Sequence, residues 1–139
     1  MHNAILPWTN RPIGTTLLAL FFIFGAGMAS LTALMLLFPG SILEPLWRLN
    51  PRADEGFGAM GAWAVLLMLT VATACAVAAA GLWRCTRWGT TLAIVILSVN
   101  LLGDTMNALI GRDWRTLIGL PVGGAMILYL MSQRRARRH

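Results

Sequence analysis

Four apolar stretches, each long enough to cross a bilayer, fill most of the 139 residues and leave little chain for work outside lipid. A hydrocarbon core about 30 Å thick takes roughly 20 helical residues to cross. The stretches lie at about 13–38, 57–83, 89–111 and 114–131, and a basic tail at 132–139 follows them. The fourth is the shortest, about 27 Å by helical rise, and Pro121 with Gly123 and Gly124 can bend it. Apolar residues make up 58% of the chain and charged residues 12%, with a mean hydropathy of +0.71. A soluble domain carries about a quarter charged residues, so this chain takes lipid as its solvent. The expected fold class is all-α integral membrane. Four transmembrane helices form one domain and one bundle, with a short outer interfacial segment between the first and second.

The first stretch is too long for the apolar part of a secretory signal, and apolar sequence continues beyond Ala29-Ser30, so it reads as an uncleaved span. Its Gly25, Ala26, Gly27 and Ser30 offer a small-residue surface for close helix approach. Pro39-Gly40 stops it, because proline disfavours helical geometry in the preceding residue. The polar segment 41–56 mixes Leu46, Trp47 and Leu49 with Glu44, Arg48, Asp54 and Glu55, a pattern expected of a helical piece at the interface or a lid over the helix ends. Small residues from Val71 to Gly81 assign the second stretch to the bundle interior. Trp83, Arg84, Arg87 and Trp88 mark a turn at head-group level, where tryptophan settles and arginine snorkels. Asp113 is the expected N-cap of the fourth stretch.

Charge sets the expected orientation. Four spans place both termini on one side, where the N-tail, the 83–88 turn and the C-tail carry seven arginines. The other side carries four arginines together with Glu44, Asp54, Glu55 and Asp113. The positive-inside rule then puts both termini in the cytoplasm. The sequence pI near 11.4 does not imply nucleic acid, because the arginines sit in short clusters beside apolar runs and serve as topology signals and lipid anchors. No lysine is present, so lysine base or Schiff-base chemistry is excluded.

One polar stripe interrupts the third stretch. Asn100, Asp104 and Asn107 fall at i, i+4 and i+7, hence on one helix face. An Asp at the bilayer centre costs roughly 2.5–3.5 kcal/mol, and the ten Leu, Ile and Val residues between Leu92 and Ile110 return about 3–6 kcal/mol on the same scale. Insertion wins by a margin narrow enough that Asp104 should point into the bundle and find a partner. Arg48 is the first expected partner, held against the bundle by Leu46, Trp47 and Leu49, with Arg112 and Arg115 next. On that reading the stripe is interhelical glue. The alternative is an outward-open polar pocket in which Asp104 binds a cation or proton.

No catalytic, metal or cofactor constellation is found. His2 and His139 stand at the extreme ends, no Ser/His or paired-acid set lies within the apolar runs, and no glycine-rich phosphate loop occurs. Cys75 and Cys85 lie about 15 Å apart along a helix, too far to bridge, and read as small apolar residues. Gly14-Thr15-Thr16-Leu17 recurs as Gly89-Thr90-Thr91-Leu92, and Ala33-Leu34 as Ala108-Leu109 at the same offset. A duplicated two-helix unit would explain this, but the second and fourth stretches show no matching similarity, and chance recurrence in apolar sequence explains it as well.

The strings at 43–51 (Leu-Glu-Pro-Leu-Trp-Arg-Leu-Asn-Pro), 81–89 (Gly-Leu-Trp-Arg with Arg-Trp-Gly), 100–104 (Asn-Leu-Leu-Gly-Asp) and 119–130 (Gly-Leu-Pro with Tyr-Leu) together resemble small, uncharacterised four-span bacterial inner-membrane proteins. The resemblance covers most of the chain and implies architecture and location, with no activity to carry over. Small multidrug transporters carry a glutamate in their first span, and 13–38 contains no acid. Fluoride channels carry a Thr-Thr-Phe-Ser-Thr-Phe-like element that is absent here. The expected role is a non-enzymatic membrane scaffold or accessory subunit without cofactor. Its partners would be the lipid bilayer and a membrane protein or further copies of itself. A small transporter or channel subunit using the Asn/Asp stripe is the alternative.

Overall fold

The computed structural model describes residues 12–111, 114–136 and 138, and every regular element among them is helical. In chain order these are α1 (Ile13–Leu37), a 3-10 helix (Glu44–Leu49), α2 (Pro51–Met60), α3 (Ala62–Trp83), α4 (Arg87–Gly111), a second 3-10 helix (Trp114–Ile118) and α5 (Gly119–Ala136). Three of them, α1, α3 and α4, are long and apolar enough to cross a membrane. The chain divides into two compact units, Met1–Phe21 with Val77–His139, and Phe22–Ala76.

The distribution of bulk is that of a protein solvated by lipid. Eight of the fifteen buried hydrophobic residues are alanines, among them Ala19, Ala33, Ala64, Ala78 and Ala93, while Phe24, Trp63, Leu102 and Leu109 are exposed. A soluble core does the reverse, because burying large side chains is what removes apolar area from water. In lipid that drive disappears and helices associate by close backbone approach, which favours small residues at the contact. Exposed hydroxyls follow the same logic. Ser30, Thr70 and Thr73 donate to the carbonyls of Ala26, Leu66 and Leu69 at 2.8 Å, which quenches the donor inside the helix.

In the unit Phe22–Ala76, α1 and α3 meet where Gly25 faces Cys75; a Cβ on Gly25 would stand 3.7 Å from the thiol sulfur. Gly27, two residues on, has open space around it, so of the two glycines only Gly25 stands in van der Waals range of a neighbour. The segment expected at the interface is helical. Asn50 caps α2 by accepting from the Ala53 N–H at 3.4 Å, and Pro51 suits the first helical position, where an N–H has no partner to lose. Ala53 and Phe57 share the half-buried face of α2, and the Phe57 ring lies 6.0 Å from that of Trp47.

The second stretch differs from its expected start at 57. Residues 57–60 complete α2, and the spanning helix begins at Ala62 after Gly61, whose φ of +57 breaks the run. Glycine takes that conformation without a Cβ clash, which apolarity alone cannot signal. The stretch expected at 114–131 is also not one α-helix. Pro121 has no N–H to give the Leu117 carbonyl and its ring crowds that group, so α5 opens only at Gly119, with Pro121 in its first turn and a 3-10 helix ahead of it. At its far end α5 continues to Ala136 through the expected tail. Glutamine and arginine are good helix formers, and Arg134 and Arg135 sit where the helix dipole favours cations.

Candidate functional site

The polar stripe lies on α4 as its spacing requires, with an uneven environment. Asn100 and Asn107 are exposed, while Asp104 is half-buried. Glycines on α5 let that helix lie close along α4. A Cβ on Gly123 would stand 3.2 Å from Leu101 Cδ1, and one on Gly119 would stand 3.2 Å from Asp104 Oδ2. The carboxylate therefore sits beside the first turn of α5, whose dipole favours an anion by about 0.3–1 kcal/mol. That is less than the 2.5–3.5 kcal/mol cost of an acid at mid-membrane, so the dipole alone does not compensate Asp104.

The expected partners fare differently. Arg115 is exposed and, among the described residues, makes no ion pair with Asp104. Arg112 and the expected cap Asp113 lie outside the described residues. Arg48 belongs to the other unit, where it is exposed and lines an open groove together with Glu44 and Asp54.

A second site was not foreseen from the sequence. In the unit containing α4 and α5, a cavity of about 120 Å³ is lined by Thr15, Arg87, Thr90, Gln133, Arg134 and Arg138, with Leu130 beneath. Thr15 belongs to the first turn of α1, Arg87 and Thr90 to the first turn of α4, and Gln133 and Arg134 to the last turns of α5. Gln133 is held in place by donating from Nε2 to the Tyr129 hydroxyl at 3.1 Å. Tyr129 can lie there because Gly14 has no side chain; a Cβ at Gly14 would overlap the phenol ring.

The first turn of α4 is fixed just as tightly. Arg84 to Thr86 reverse the chain after α3 with Cys85 at φ 52, and Thr86 N–H donates to the Gly81 carbonyl at 2.9 Å while Cys85 N–H reaches Leu82 at 3.0 Å. This pair of bonds is a Schellman motif, normally built with glycine at the left-handed position. Thr86 then caps α4, accepting from the Gly89 N–H at 3.2 Å and donating Oγ1–H to the Gly81 carbonyl at 2.9 Å. Gly81 and Gly89 touch backbone to backbone, with no room for a Cβ on either.

The signal that could have found the cavity is the repeated Gly-Thr-Thr-Leu string. Gly14 and Gly89 both serve a close approach, and Thr15 and Thr90 both line the cavity. The recurrence is visible in the sequence, but only the fold brings its two copies together. The chain matches no protein-family model, no curated protein and no solved structure.

Proposed function

We propose that the chain is a four-pass protein of the bacterial inner membrane, with both termini cytoplasmic, acting without catalytic turnover as a scaffold or accessory subunit. The arginine asymmetry supports the orientation. A fourth crossing from 114 to 131 is supported by length. A 3-10 helix over 114–118 rises about 10 Å and the helical residues 119–131 about 20 Å, together the thickness of the hydrocarbon core.

The observation that carries the role is the outward exposure of Asn100 and Asn107 on a membrane-length helix. An amide presents two N–H donors and a carbonyl, more than one i−4 carbonyl can quench. Facing hydrocarbon, such groups favour association with a polar helix of another chain or of a second copy, at roughly 0.6–2 kcal/mol per interhelical bond. Asp104, between them and already against Gly119, is covered further by the same association.

Cysteine cross-linking in membranes tests this, with Cys75 and Cys85 replaced by alanine. Asn100→Cys and Asn107→Cys are expected to yield a cross-linked adduct that Val95→Cys does not. If instead both positions react freely with a water-soluble thiol reagent and the purified protein conducts ions in proteoliposomes, the stripe lines a conduit and the accessory reading fails. Arg48 remains the proposed counter-charge for Asp104. In that case Arg48→Gln and Asp104→Asn lower stability singly but not additively, as coupled residues do.

A further inference from the structure

We infer that the cavity between the first turns of α1 and α4 and the last turns of α5 is a binding site for a phosphate group. Arg87, Arg134 and Arg138 surround it, and no described lining residue is acidic. The whole chain has five acids, all of them between Glu44 and Glu55 or at Asp104 and Asp113, so none flanks the cavity in sequence. Three guanidiniums about one small space repel each other until an anion enters, and planar guanidinium matches a phosphate with two parallel N–H donors.

Helix dipoles do not alter this. The starts of α1 and α4 each contribute roughly half a positive charge and the end of α5 roughly half a negative one, which leaves about half a positive charge beside the three arginines. Thr15, Gln133 and the arginines are all donor-bearing, as an acceptor-rich phosphate requires. Thr90 is turned the other way, its hydroxyl donating to the Thr86 carbonyl at 3.2 Å, and so helps to shape the wall.

Size narrows the ligand. An apolar cavity of about 150 Å³ takes one benzene molecule, so 120 Å³ holds a single tetrahedral phosphate, and anything larger must extend out of the opening. The position narrows it again. Thr15, Arg87 and Thr90 belong to the first turns of two membrane-length helices, the depth at which phospholipid phosphates lie. Corresponding residues of the two Gly-Thr-Thr-Leu strings, Thr15 and Thr90, meet on the cavity.

The test is titration of the full-length protein in non-ionic detergent with inorganic phosphate, short-chain phosphatidylglycerol and, lacking the phosphate, short-chain diacylglycerol. Saturable binding of either phosphate ligand is expected, with Arg87→Gln and Arg134→Gln each weakening it at least about tenfold, the scale of a lost charge-assisted hydrogen bond. Arg135→Gln should leave it within about threefold, since Arg135 is equally basic and does not line the cavity. Binding of phosphatidylglycerol alone identifies a lipid headgroup as the source of the phosphate, and binding of inorganic phosphate alone identifies a free anion. A second measurement needs no variant. Phosphate or phosphatidylglycerol should shield Arg87 and Arg134 of the wild-type chain from phenylglyoxal while leaving Arg135 reactive. The inference is overturned if neither phosphate ligand binds, if diacylglycerol binds as well, if Arg135→Gln is as damaging as Arg134→Gln, or if all three arginines are shielded alike.

Discussion

The chain reverses direction between α1 and α3 and again between α3 and α4, and the two reversals are built on opposite plans. The first uses 38–61 and contains a 3-10 helix, a capped amphipathic helix and two positive-φ glycines, Gly40 and Gly61, that turn in open space. The second uses only Arg84 to Thr86, with a non-glycine residue forced left-handed and two helix backbones in contact. The long reversal carries three of the five acids, and the short one carries Arg84, with Arg87 opening α4 just after it, and no acid. A long connection distributes its stability over many weak local contacts. A short one concentrates it in a few atoms, where substitution acts strongly.

Substitutions can break that contrast, measured as reversible unfolding in mixed detergent micelles. Gly89→Val should be the most damaging, at about 3 kcal/mol, because the added atoms meet the Gly81 backbone rather than a side chain that can swing away. Gly103→Ala provides the control. It has open space around it and should be neutral or gain up to about 1 kcal/mol. Cys85→Val comes next, at about 2 kcal/mol, since a β-branched residue tolerates the left-handed region poorly, while Cys85→Gly should restore or raise stability. Thr86→Ala removes the cap of α4 and should cost about 1 kcal/mol. Asn50→Ala in the long reversal should cost only about 0.5 kcal/mol, its capping bond being long and exposed. If Asn50→Ala rivals Gly89→Val, the contrast is wrong.

The legibility of these features in sequence divides along physical lines. Membrane-length helices were readable because hydropathy sums over twenty residues, and the tryptophans and arginines at 83–88 mark the short turn by composition. The break at Gly61 was not readable, since it depends on one residue's φ inside continuous apolar sequence. Nor was the left-handed Cys85, which occupies a place where glycine is the usual signal. The split of the fourth stretch follows from Pro121, which reads as a bend in the sequence but acts as a helix start. Asn100, Asp104 and Asn107 share a face as their spacing requires, but which of them touches α5 depends on Gly119 and Gly123, and helix pairing is not encoded in periodicity. The basic cavity was hidden for the same reason, its residues coming from three separate elements.

The bare backbone contact of Gly81 with Gly89 has a mechanical consequence. Side chains between helices normally act as a cushion, absorbing small rotations by changing rotamer. Here the cushion is missing, and the end of α3 and the start of α4 form a stiff elbow. A twist imposed on α4 passes undamped into the last turn of α3, and the arm bearing Arg87 and Thr90 is clamped before any ligand arrives.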